Sequence, residues 1–132
     1  MIPKFRAWDK WRDRMSVVDR IYIDTKGVRL YDDFGEYWRD FNDIELMQST
    51  GLKDKNGMEI FEGDIVTDGD VTSDIKYHQT LGFYMIGKYG FSVPFGQGVD
   101  VEYFEEFADH VSKTFEVVGN VYENPELLEV TE

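Results

Sequence analysis

Between Leu46 and Val66 the chain reads LMQSTGLKDKNGMEIFEGDIV, and this run constrains the local backbone more than any other stretch. Asn56-Gly57 separates polar residues from an apolar run. Asn tolerates positive φ and Gly adopts it without a Cβ clash, so the pair marks a reversal around residues 55–57. Glu62-Gly63-Asp64, between Ile60-Phe61 and Ile65-Val66, is a second punctuation at which two short β segments meet at an angle. Asp54, flanked by Lys53 and Lys55, reads as a side chain capping its own turn before it reads as an anchor for a partner.

The flanking sequence carries the same β signal. Residues 4–8 alternate Lys, Phe, Arg, Ala, Trp, which puts Phe5 and Ala7 on one strand face and Arg6 on the other. Residues 15–24 are rich in β-branched side chains, Lys26-Gly27 ends them, and residues 28–31 alternate again, predicting a hairpin of the second and third strands. Residues 32–43 place Phe34, Tyr37, Trp38 and Phe41 in what a helix would make one stripe, yet Gly35 opposes a helix by about 1 kcal/mol relative to Ala. An irregular segment or a single helical turn is expected there, its rings packed as a buried lid. Residues 67–73 form a polar turn, and residues 74–78 and 81–86 are two strands broken at Gln79-Thr80.

Gly82, Gly87, Gly90, Gly96 and Gly98 follow closely, but their order matches neither phosphate-binding glycine pattern, so turns and bends explain them. Residues 95–98 read as a loop, and Pro94 argues against a central strand. Residues 99–111 are the best helix: Val101, Phe104, Ala108 and Val111 make an apolar stripe, while Glu102, Glu105, Glu106 and Asp109 face elsewhere. Residues 114–122 are a last strand with Gly119 as a bulge or close-approach site, and residues 125–132 close with a short helical turn. The resulting expectation is a mainly β single domain over residues 1–132. It would be a Src-homology-3-like or related small barrel or sandwich, with an N-terminal β-hairpin and one amphipathic helix near residues 99–111.

Three segments, FRAWD near the start, the Leu46-to-Val66 run and GNVYENPELL near the end, together resemble the YopX family of phage and prophage proteins. The resemblance implies a phage or prophage origin and expression inside a bacterial cell. It supplies no catalytic or binding residues to carry over.

Among 132 residues, 42% hydrophobic and 16% aromatic, a chain can bury a core of its own. The opening MIPKFRAWDKWRDRM lacks the apolar centre of a secretory signal, and no apolar run reaches the roughly 18 residues of a membrane span. A cytoplasmic protein without membrane attachment is therefore expected. With no cysteine, thiol catalysis and thiolate metal sites are excluded. A net charge of -13 disfavours general nucleic-acid binding.

Glu102, Glu106 and His110, at successive i, i+4 positions, could face one divalent metal, but the spacing is unspecific and a solvated acidic face is the better reading. Asp64, Asp68, Asp70 and Asp74 lack the glycine and terminal glutamate of a calcium loop. No serine lies in a nucleophile context, and no cofactor is implied. The sequence thus points to a non-enzymatic, acidic protein-binding module engaging a basic host or phage protein through Glu102, Glu105, Glu106 and Asp109. The alternative is a nucleic-acid-binding or nucleic-acid-processing protein using Lys4, Arg6, Trp8, Lys10, Trp11, Arg12 and Arg14. Self-association through an unpaired sheet edge is a further expectation.

Overall fold

The computed structural model describes residues 4–80, 82–86, 92–94 and 101–128, the side chains of 92–94 and 101–104 excepted. Its chain divides into two compact units, Met1–Ser49 and Thr50–Glu132.

The first unit is an antiparallel meander. Strands β1 (Phe5–Asp9), β2 (Arg14–Tyr22), β3 (Gly27–Asp32) and β4 (Gly35–Asp40) are followed by a 3₁₀ turn, Phe41–Asp43, and by β5 (Ile44–Lys53). Hydrogen bonding runs in the order β4-β3-β2-β1-β5. Alternation decides the faces: Ala7, Val28, Leu30 and Ile44 are buried together, with Val18, Ile21, Tyr37 and Phe41 packed against them. The β2–β3 hairpin forms as its sequence predicts, with Lys26 at φ 55 in the connecting turn.

Residues 32–43 depart from expectation. A full strand pairs with β3 from Gly27–Asp40 to Asp32–Gly35, so the aromatic spacing marks no helical stripe. Gly35 at φ 121 closes the tight turn, and neighbouring Tyr37 and Trp38 go to opposite faces. The buried lid is absent too: Tyr37 and Phe41 are half-buried, whereas Trp38 is exposed and Phe34, in the turn, is 79% exposed.

In the second unit β5 continues beside β6 (Glu59–Phe61). After Gly63, at φ 85, the chain enters β7 (Asp64–Thr67), which belongs to a different sheet; this is the bend expected at Glu62-Gly63-Asp64. Strands β8 (Thr72–Asp74), β9 (Lys76–His78), β10 (Gly82–Ile86) and β11 (Ser92–Pro94) follow, then α1 (Val101–Thr114) and β12 (Glu116–Asn120). The sheets run β11-β10-β9 and β12-β7-β8, so Pro94 lies on an edge strand. The β12–β7 register slips between Val117 and Gly119, the bulge anticipated at this glycine.

Leu52, Ile60, Val66, Ile75, Phe83, Met85, Val111 and Phe115 form the buried core of this unit. Each fully buried side chain of this size contributes roughly 1.5–3 kcal/mol. The fold is thus mainly β with one amphipathic helix, and its strands form three open antiparallel sheets that, among the described residues, close into no barrel. Residues 95–98, read as a loop, lie outside the described residues.

Candidate functional site

The two aspartates of the central signature, Asp54 and Asp64, are turned inward. Asp54 is 2% exposed. Its Oδ1 accepts the N–H groups of Asn56 and Met58, each at 2.9 Å, and its Oδ2 accepts that of Val117 at 2.9 Å. Asp64, also buried, accepts the Phe61 N–H at 2.8 Å. These carboxylates satisfy backbone donors in the turn at Asn56 and Met58 and in strands β6 and β12. Asp54 is therefore a turn cap, while Lys55 pairs with Glu116 at 3.5 Å.

The other Asp-rich turn is built the same way. Asp68 accepts the N–H groups of Asp70 and Val71 at 2.9 and 2.8 Å, and these bonds, with a contribution from His110, hold its carboxyl below the usual range. Asp74 pairs with Lys76 at 2.9 Å. Asp64, Asp68, Asp70 and Asp74 form no metal-holding group among the described residues, and the carboxylates of Asp64, Asp68 and Asp74 each serve a different backbone or lysine partner.

On α1, Val111 is buried and Phe107 and Ala108 are half-buried, leaving Glu105, Glu106 and Asp109 exposed. Asp109 pairs with Lys113 at 2.8 Å. His110 is exposed, its ring edge-on to Phe115 at 6.2 Å. The side chain of Glu102 lies outside the described residues, and among those described no group of three acids or imidazoles is placed to hold a metal ion.

The N-terminal basic residues are gathered only in part. Arg12 and Arg14 both reach Asp32 Oδ2, at 3.3 and 3.4 Å, with Arg14 over the Phe34 ring at 5.1 Å. Lys10 points instead to Glu45 at 3.2 Å. Arg6 and Trp8 lie along β1 opposite the Ala7 face, and Lys4 precedes the strand. Trp11 is 73% exposed at the β1–β2 turn, and Trp8 is half-buried.

One cluster escaped the sequence reading. Asp9 is fully buried; its Oδ1 accepts the Trp11 N–H at 2.9 Å and pairs with Arg39 Nε at 3.2 Å, while its Oδ2 accepts no hydrogen bond among the described residues. The Tyr37 ring lies under Arg12 at 4.3 Å and Arg39 at 4.8 Å, and its hydroxyl meets Ser16 Oγ at 2.6 Å. Burial pushes the Asp9 carboxyl up, but the Trp11 N–H, the Tyr37 hydroxyl and Arg39 outweigh it and leave the group below its ordinary value. Burial, reinforced by the charges of Asp9 and Asp32, raises the Tyr37 hydroxyl against the opposing bond from Ser16. Both groups are driven away from neutrality, which suits a scaffold and not general acid–base exchange near pH 7. Nothing local signals this cluster, because Asp9 and Arg39 are brought together only by the pairing of four strands.

The side-chain chemistry is segregated between the units. Residues 1–49 hold nine Lys and Arg against ten Asp and Glu; residues 50–132 hold five against seventeen. All six arginines, Arg6, Arg12, Arg14, Arg20, Arg29 and Arg39, and all three tryptophans, Trp8, Trp11 and Trp38, fall in the first set.

A two-unit, mainly β protein whose two buried signature aspartates hold backbone N–H groups is the class that this geometry defines. The pattern of the family described as YopX protein matches residues 4–129, and the chain belongs to the YopX family. It is similar to protein EF1440 from Enterococcus faecalis, known from a crystal structure, at 28% identity over 98% of this chain and 99% of that one, with a TM-score of 0.62. Among curated proteins none matches. Among the described residues no helix is long and apolar enough to cross a membrane.

Proposed function

We propose that the protein is a non-enzymatic phage or prophage accessory protein, acting inside the bacterial cell by binding a basic host or phage protein. The observation that carries this reading is the segregation of charge, with seventeen acids against five lysines in residues 50–132. Such a surface raises the encounter rate with a positively charged partner and sets its orientation. The solvent side of α1 is the contact region favoured here, because Glu105, Glu106 and Asp109 are exposed while Val111 is buried in the core.

Affinity capture of the tagged full chain from its host during phage growth tests this. A basic protein recovered in stoichiometric amount, and lost with the triple variant Glu105→Gln, Glu106→Gln, Asp109→Asn, is the expected result. Recovery unchanged by that variant removes α1 from the interface, and recovery of no basic protein at low salt overturns the reading.

A further inference from the structure

The outer face of β2, β3 and β4 brings two arginines together with exposed aromatic side chains. Register places Tyr22, Gly27 and Asp40 in one row, Arg20, Arg29 and Trp38 in the next, and Val17, Tyr31 and Glu36 in the third. These residues alternate with the buried Val28 and Leu30 of the inner face. Val17, Tyr31 and Trp38 are 46%, 42% and 37% exposed. The patch covers roughly 10 Å by 13 Å from strand spacing and rise.

Trp38 is held as a fixed platform. Its indole crosses Gly27 so closely that a Cβ there would lie 2.1 Å from Cζ2. The ring leans on Tyr22 at 5.4 Å, and the indole N–H donates to Asp40 Oδ1 at 3.0 Å.

Arg20 and Arg29 are directly opposite one another, a like-charge pair that costs stability on a sheet. Arg20 pairs with the adjacent Asp19 at 3.5 Å and lies within electrostatic reach of Glu36. Half-buried Arg29 has no carboxylate within ion-pair distance among the described residues. Arg29, without a carboxylate partner among the described residues, stands in register opposite Arg20, whose exposed pair with Asp19 is weak, and beside the exposed Tyr31 and Trp38; this grouping matches a phosphate linkage with bases stacked next to it.

We infer that this face of the first unit binds single-stranded nucleic acid, a phosphate seated at Arg20 and Arg29 and bases stacked on Trp38 and Tyr31. The strong acidity resides in residues 50–132, whereas residues 1–49 are near neutral, so local attraction is not cancelled within this unit. Asp19, Glu36 and Asp40 lie beside the patch and limit the affinity. The site is independent of the acidic α1 surface, so either reading can fail without the other.

The test is fluorescence anisotropy of labelled oligothymidylate and oligouridylate, each about 20 nucleotides long, with the full chain at about 50 mM salt. Saturable binding is expected, with a salt slope that falls by about one for Arg29→Gln and an affinity loss of at least tenfold. Trp38→Phe should keep most of the affinity, and Tyr31→Ser, at an exposed position, should weaken it without affecting the fold. The variant Glu105→Gln, Glu106→Gln, Asp109→Asn should bind oligonucleotide at least as well as the parent. No saturable binding to either oligonucleotide overturns the proposal and leaves the face to a protein partner; binding insensitive to both Arg29→Gln and Tyr31→Ser overturns it equally.

Discussion

The carboxylate of Asp54 accepts the backbone N–H of Val117 at 2.9 Å, across 63 positions of sequence. Its other oxygen holds two N–H groups of its own turn, so one side chain ties the Asn56-Gly57 reversal to the start of β12. Asp54→Ala strands three donors at a buried position, where each charge-assisted bond contributes roughly 1.5–3 kcal/mol. Because losses within one cluster do not add, a net destabilisation of about 3 kcal/mol is expected in denaturant unfolding. A loss below about 1 kcal/mol, the level of an ordinary surface change, would show that the turn holds without its cap.

Gly27 is demanded by a side chain and not by its own backbone angle. Any Cβ there meets the Trp38 ring at 2.1 Å and the Arg39 carbonyl oxygen at 2.7 Å. Gly27→Ala should cost about 1–3 kcal/mol as overpacking. Adding Trp38→Ala should recover part of that loss, measured as a double-mutant cycle, with the remainder set by the Arg39 carbonyl. Simple additivity would mean that the indole moves away freely and is no fixed platform.

These two positions also show where the sequence is readable. Asn56-Gly57, Gly63 and the α1 stripe declare themselves because the signal lies within a few residues of the structure it causes. The β4 strand does not, since Phe34, Tyr37, Trp38 and Phe41 fit a helical spacing until pairing with β3 imposes a period of two. Candidate sites divide likewise. The acids of α1 follow from one helix, but Asp9 with Arg39, and Arg20 with Arg29, meet only through strand register.

Asp9 should govern part of the acid limb of stability. Its folded-state carboxyl lies below the ordinary value of 3.8, so the folded chain binds fewer protons there than the unfolded one. That contribution is fully present above the unfolded value and is lost as pH falls through the folded one. Asp9→Asn should therefore be destabilised by about 1–3 kcal/mol near neutrality, the scale for a buried hydrogen-bonded charge losing its partner. The gap between parent and variant should narrow below about pH 4 in urea unfolding. A gap that stays constant from pH 3 to pH 7, bracketing the ordinary carboxylate range, would show that Asp9 has no depressed titration.

The acidic face of α1 should be dispensable for folding. Asp109 and Lys113 form an exposed i, i+4 pair, 62% and 72% exposed at their side chains, and such pairs contribute about 0.3–0.5 kcal/mol at most. Glu105 and Glu106 are exposed beside it, and neutralising them relieves repulsion within a unit holding seventeen acids and five lysines. The triple variant Glu105→Gln, Glu106→Gln, Asp109→Asn should thus unfold within about 0.5 kcal/mol of the parent. Calorimetry at low and high salt checks it, with the difference shrinking as salt screens the repulsion. A large loss of stability would assign these side chains to the fold, and a loss of captured partner in that variant would then carry no information about binding.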